Sequence, residues 1–316
     1  MLFIGAFTLL ALITAQPPTS PTASGQPSDS AEAQSRTASA LKPTVGTLIV
    51  AHGGGPGWNA QVEEVAGLVN TGGPVAVSFL MGPGAAASRF QDAAERLVNA
   101  GATEIVVVPV LVSSHSGHYE QIRYLAGEID ELDEAMLHHL HMAGIGRAAV
   151  DVPIRVAPAM DDAPEIAVVL ADRAKALAAQ PGQRALMLVG HGPNSAEDNA
   201  AWMANLRRIA EQVKARSGFR EVKVGLVRDD APVPVRAEAV RSVRETIALL
   251  HELTEEPVVV VPILVSKGQI SDEKLPADLA GLTIVYDGQT LLPHPEVARW
   301  IESRVRAAAR PEATMR

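Results

Sequence analysis

The residues best suited to chemistry in this chain are histidines placed at the ends of apolar runs. His52 closes the run TLIVAHGGG, and His115 with His118 follows VVVPVLVS in the segment SSHSGHYEQI. A neutral imidazole can ligate a first-row metal ion or accept a proton near pH 7, because its unperturbed pKa lies at about 6.5. Three imidazoles converging on one crevice would suit an exchangeable divalent ion. The chain has no Cys, so disulfides, thiolate metal cages and Cys nucleophiles are excluded and any metal must sit on His, Asp or Glu. A lone His52 in a Gly-rich turn could equally cap a helix or bond a loop. The Ser-His-Ser-Gly-His run has no evident packing purpose and is therefore expected to form part of a site. His138, His139 and His141 in MLHHLHMAG read first as a polar helical face and second as a surface metal-delivery patch; His251 and His294 read as structural.

The elements that must position these residues come from an internal duplication. TLIVAHGGG (47–55) recurs as LMLVGHGPN (186–194), and EIVVVPVLVS (104–113) recurs as PVVVVPILVS (257–266), in the same order. APAMDDAPEIAVVLADR, near the end of the first half, likewise matches DGQTLLPHPEVARWIESR near the end of the second. A period this long indicates two domains of one fold, since solenoid repeats run to roughly 20–50 residues. Each half alternates continuous Val/Ile/Leu runs with segments of helical period. Strands are expected at 46–51, 75–80, 105–112 and 153–157, then 185–190, 222–227, 258–265 and 282–286. Helices are expected at 85–99, 165–178, 198–214 and 236–253. The pattern predicts two tandem flavodoxin-like, doubly wound α/β domains with parallel sheets, spanning 45–180 and 181–310. In such a sheet ligands gather beyond the carboxyl ends of the strands, where strand order reverses. His52 and the third-strand loop would meet there.

Composition narrows the partners. The chain has 316 residues, 47% hydrophobic and 3% aromatic, and 27 basic against 36 acidic residues give a net charge of −9. Generic attraction to nucleic acid is not expected, and any anionic ligand must be held by local cations. The apolar segment Met1–Ala15 reads as a signal peptide too short for a membrane span, followed by a Pro/Ser/Thr-rich linker over 16–44. The expectation is an exported, periplasmic protein with no membrane span in its mature form. HGGG at 52–55 resembles the oxyanion loop of lipases, but no G-x-S-x-G occurs, and neither a P-loop nor a dinucleotide fingerprint is present.

LIVAHGG, NAQVEEVA, VVVPVLVSSHSGH and a second similar domain together resemble the class II chelatases, the sirohydrochlorin cobalto- and ferrochelatases, over residues 45–306. The resemblance implies two flavodoxin-like domains around a tetrapyrrole cleft, no organic cofactor, and a divalent metal, cobalt or iron, as substrate. It maps the family's metal-binding and proton-accepting histidines onto His52 and onto His115 or His118. On this basis His52, His115 and His118 are expected to hold the metal, with His118 or Glu120 taking protons. Arg228 and Lys267 are candidates for the carboxylates of the tetrapyrrole. The second half keeps His191 but has Lys267, Gly268 and Gln269 in its third-strand loop, which suggests one active and one supporting half. An exported carrier of metal or tetrapyrrole with the same fold is the alternative to a chelatase.

Overall fold

The computed structural model describes residues 44–309; the expected signal peptide (1–15) and all but the last residue of the expected linker (16–44) lie outside them. The first half runs β1 (Val45–Ala51), α1 (Pro56–Ala66), β2 (Val75–Phe79), α2 (Phe90–Asn99), β3 (Glu104–Val110), α3 (Gly117–Ala126), α4 (Glu134–Met142), β4 (Ile154–Val156) and α5 (Pro164–Ala176). The second runs β5 (Ala185–Gly190), α6 (Ala196–Ser217), β6 (Glu221–Leu226), α7 (Val233–Thr254), β7 (Val258–Ile263), α8 (Leu275–Asp278), β8 (Ile284–Val285) and α9 (Pro295–Ala309). All strand pairs are parallel, in the orders β2-β1-β3-β4 and β6-β5-β7-β8. The expected pair of doubly wound α/β domains is therefore present.

The continuous apolar runs form strands because both faces of each sheet are covered. On β1, Leu48 and Val50 face a first-half core with Phe90, Leu97 and Ile122, while Ile49 and Ala51 face the opposite way. That second face belongs to a core shared by the halves, in which Ile49 and Val106 join Leu188, Val261 and the fully buried Trp300. The closing helices cross over: α9 of the second half packs on β3, and α5 of the first packs on β7. Helix α5 also packs on both α6 and α9, so the two sheets are held by common helices instead of a thin contact.

Several boundaries differ from expectation, and those in the first half's second helix and in the third strand of each half have a clear physical reason. The helix expected over 85–99 divides into a short 3-10 turn at Ala85–Ala87 and α2, with Arg89 extended between them so that Phe90 can be fully buried. The third strand stops at Val110 because the next two carbonyls leave the sheet: Leu111 and Val112 accept from the amides of Met160 and Asp161. The second half repeats this exchange, Leu264 and Val265 accepting from Leu291 and Leu292, and β7 stops at Ile263. The weak repeat between the two APAM- and DGQT-containing segments thus has a physical basis in a strap that closes each sheet's third loop.

Candidate metal and proton-transfer site

His52 follows Ala51, which pairs with Val110, so the loops after β1 and β3 leave the sheet side by side at the strand-order reversal. Gly53 adopts φ 91°, and a Cβ there would lie 2.2 Å from the Met81 carbonyl oxygen. The turn therefore needs glycine. It brings the Gly53 carbonyl back to His52, whose Nδ1 lies 2.7 Å from it. A carbonyl only accepts, so Nδ1 carries the proton and Nε2 keeps its lone pair.

His118 lies in the first turn of α3, capped by Ser116, and its ring centre is 4.6 Å from that of His52, edge to face at 83°. Two imidazoles ligating one ion at about 2 Å each would place their ring centres roughly 4.5–5 Å apart, so the separation fits a shared ion. Burial lowers the pKa of His52. Burial and then the neighbouring His52 push His118 down to about 4. Both rings are therefore uncharged at neutral pH, in the form that ligates a metal or accepts a proton.

His115 is exposed, and what the structure uses of it is the backbone: its carbonyl accepts from Trp202 Nε1 at 2.6 Å. The Ser-His-Ser-Gly-His run does have a structural purpose, contrary to expectation. Asp161 receives the Ser114 amide and hydroxyl at 2.8 and 2.7 Å and the Asn205 amide at 3.1 Å, and Ser113 Oγ accepts the His115 amide. The run thereby ties the third-strand loop to α6 and aims α3. Glu120 points its carboxylate at Arg123, both oxygens lying 3.2 Å from Nη1. Arg228 turns its guanidinium onto the carbonyls of Pro193 and Asn194, bracing the loop after β5. Lys267 forms no ion pair among the described residues, and its backbone amide faces Gln61 Oε1 at 3.5 Å, at the junction of the halves.

The second half builds the corresponding corner differently. His191 follows β5, Gly192 adopts φ 81°, and His191 Nδ1 lies 2.6 Å from the Gly192 carbonyl. Its Nε2, however, lies 3.1 Å from Asp230 Oδ2. Burial would lower its pKa, but the Asp230 hydrogen bond and charge outweigh that and raise it. With acceptors on both nitrogens the imidazolium form is favoured. His191, Asp229 and Asp230 offer ligand atoms within 4.8 Å of one another. Asp229 is already bound to Lys274 at 2.6 Å and Arg236 at 3.1 Å. The charges of His191 and Asp230 act on His52, so this corner lies within electrostatic reach of the first-half pair.

Two participants escaped the sequence reading. Asp230 was findable, because β6 borders β5 and the acidic pair after it must emerge beside His191. Trp58 was less so: its ring centre lies 6.4 Å from that of His52, and a Cβ on Gly268 would touch its Cδ1 at 3.5 Å, so it fills the junction between the halves.

The CbiX family model matches the chain twice, over residues 46–177 and 185–308. The chain belongs to the CbiX family. The expected membership of the class II chelatases is thus established, with one family unit for each half. Among solved structures, this CbiX protein resembles SirB from Bacillus subtilis with Fe3+, at 20% identity and TM-score 0.56, covering 84% of this chain and 96% of that one. It also resembles the sirohydrochlorin chelatase SirB from Bacillus subtilis subspecies spizizenii in complex with cobalt, at 18% identity and TM-score 0.53, over 84% and 95% of the two chains. At these identities the likeness is one of fold. A search of curated proteins finds no match. No described helix of this CbiX protein is long and apolar enough to cross a membrane.

Proposed function

We propose that this CbiX protein is a metal chelatase that inserts a divalent ion, cobalt or iron, into sirohydrochlorin or a related tetrapyrrole. The observation that carries the reading is the His52–His118 pair: two partly buried, uncharged imidazoles with ring centres 4.6 Å apart at the strand-order reversal. The fold shared with SirB, whose structures carry Fe3+ and cobalt, supports it.

Metallation replaces two pyrrole N–H bonds by bonds to the metal and releases two protons. Nε2 of His52 and Nε2 of His118 hold the incoming ion. As the ion moves to the ring nitrogens, both lone pairs are freed and each takes one pyrrole proton, so metal and protons balance across the same two atoms. Burial then makes both imidazoliums good acids, and they return their protons to water. The His191–Asp230 pair lies nearby, and its carboxylate favours the protonated form of His191, which has no free lone pair for a ring proton. His115 and Glu120 are not needed for this balance. The macrocycle's carboxylates need a cation at the rim, and Lys267 is the candidate there; Arg228 serves the loop after β5.

The test is metallation of sirohydrochlorin by Co2+ or Fe2+, followed by absorbance. Saturable acceleration over the uncatalysed reaction is expected, with its loss in His52→Ala and His118→Ala. Tight binding of both substrates without acceleration would overturn the enzyme reading in favour of a carrier.

A further inference from the structure

We infer that Gln121 is a positioning residue that selects the tautomer of His118, directing its Nε2 lone pair to the metal. The inference rests on the reading of His118 as a donor. Gln121 is 1% exposed, yet both the nitrogen and the oxygen of its amide are bonded. Its Nε2 lies 2.7 Å from the carbonyl oxygen of Met136 in α4, and its Oε1 lies 2.8 Å from His118 Nδ1. The Met136 carbonyl can only accept, so the amide group facing it is the NH2. The oxygen is therefore turned toward His118 and can only accept in its turn. His118 must donate from Nδ1, and its single remaining lone pair lies on Nε2. His52 obtains the same result from the Gly53 carbonyl. Both members of the pair thus have Nδ1 occupied by a neutral acceptor.

The neutrality of the acceptor is what separates Gln121 from a carboxylate. A carboxylate in its place would orient the ring equally well but favour the imidazolium, as Asp230 does for His191. An amide fixes orientation while leaving the ring free to ligate. It also connects the site to α4, whose exposed His138, His139 and His141 share that helix with Met136.

The test uses the full chain, metal-free and labelled with 15N-histidine, at pH 7. Long-range 1H–15N correlation of the ring signals lost in His118→Ala reports the tautomer directly. Wild type is expected to carry the proton on Nδ1; Gln121→Leu to populate both tautomers; Gln121→Glu to keep the proton on Nδ1 while adding one to Nε2. Co2+ affinity is expected to fall about 10- to 100-fold in both variants. A wild-type ring protonated at Nε2 alone overturns the inference without any variant, as does a Gln121→Leu protein with unchanged tautomer and affinity. Should the wild type bind Co2+ through His118 yet metallate no tetrapyrrole, the chelatase reading fails while the role of Gln121 stands.

Discussion

The two halves share a strand order, a His-Gly corner and a ring held through Nδ1, yet they shift the pKa of the imidazole in opposite directions. In the first half the corner faces a second imidazole, and burial keeps both rings neutral. In the second it faces a carboxylate, which raises the pKa of His191 and favours its protonated form. The backbone supplies the orientation in both cases; the group on Nε2 decides whether the corner can take a metal and a pyrrole proton. Duplication of a fold therefore need not duplicate a site.

The contrast breaks most visibly at the rings themselves. His52→Ala is expected to cut metallation about 1,000-fold, and His191→Ala less than about 10-fold, in the sirohydrochlorin assay. Equal losses would mean that the halves act as a pair. A smaller effect separates the two glycines. Gly53→Ala would press a methyl onto the Met81 carbonyl and should destabilise by about 1–3 kcal/mol, whereas the first obstacle at Gly192 is a side-chain atom of Leu226 at 3.0 Å. Denaturant melts should therefore rank Gly53→Ala as the more damaging change.

The same contrast appears in pH dependence, with opposite signs. His118 binds its proton at about 4 when folded and near 6.5 when unfolded, so the unfolded chain holds more protons in that window and stability rises with pH across it. His191 is shifted upward, so its contribution is full below 6.5 and fades as pH climbs through its folded value. Replacing His118 by Gln should flatten the acid limb, raising the relative Tm at pH 4.5 on the order of 5 °C. The smallest expected effect is that of Asp230→Asn, about threefold in metal kcat/KM, because the carboxylate is 66% exposed and well screened.

Strand runs, the duplication and the meeting of His52 with the third-strand loop were legible because parallel-sheet burial leaves continuous apolar runs and because topology fixes which strand ends are neighbours. Which imidazole of SSHSGH joins His52 was not. That depends on where α3 begins, and Ser116 capping, Asp161 and the Trp202 bond to the His115 carbonyl set it through contacts with residues distant in sequence. Arg228 was legible as a cation but not as a loop brace, since its partners are backbone carbonyls. The upward pKa shift of His191 was hidden for a similar reason: Asp230 arrives from a neighbouring strand.

Crystals soaked in Co2+ and measured at the cobalt absorption edge address the central assignment directly. The account predicts an anomalous peak bonded to Nε2 of His52 and Nε2 of His118. A peak at His191, Asp229 and Asp230 with none between the first-half rings would contradict it.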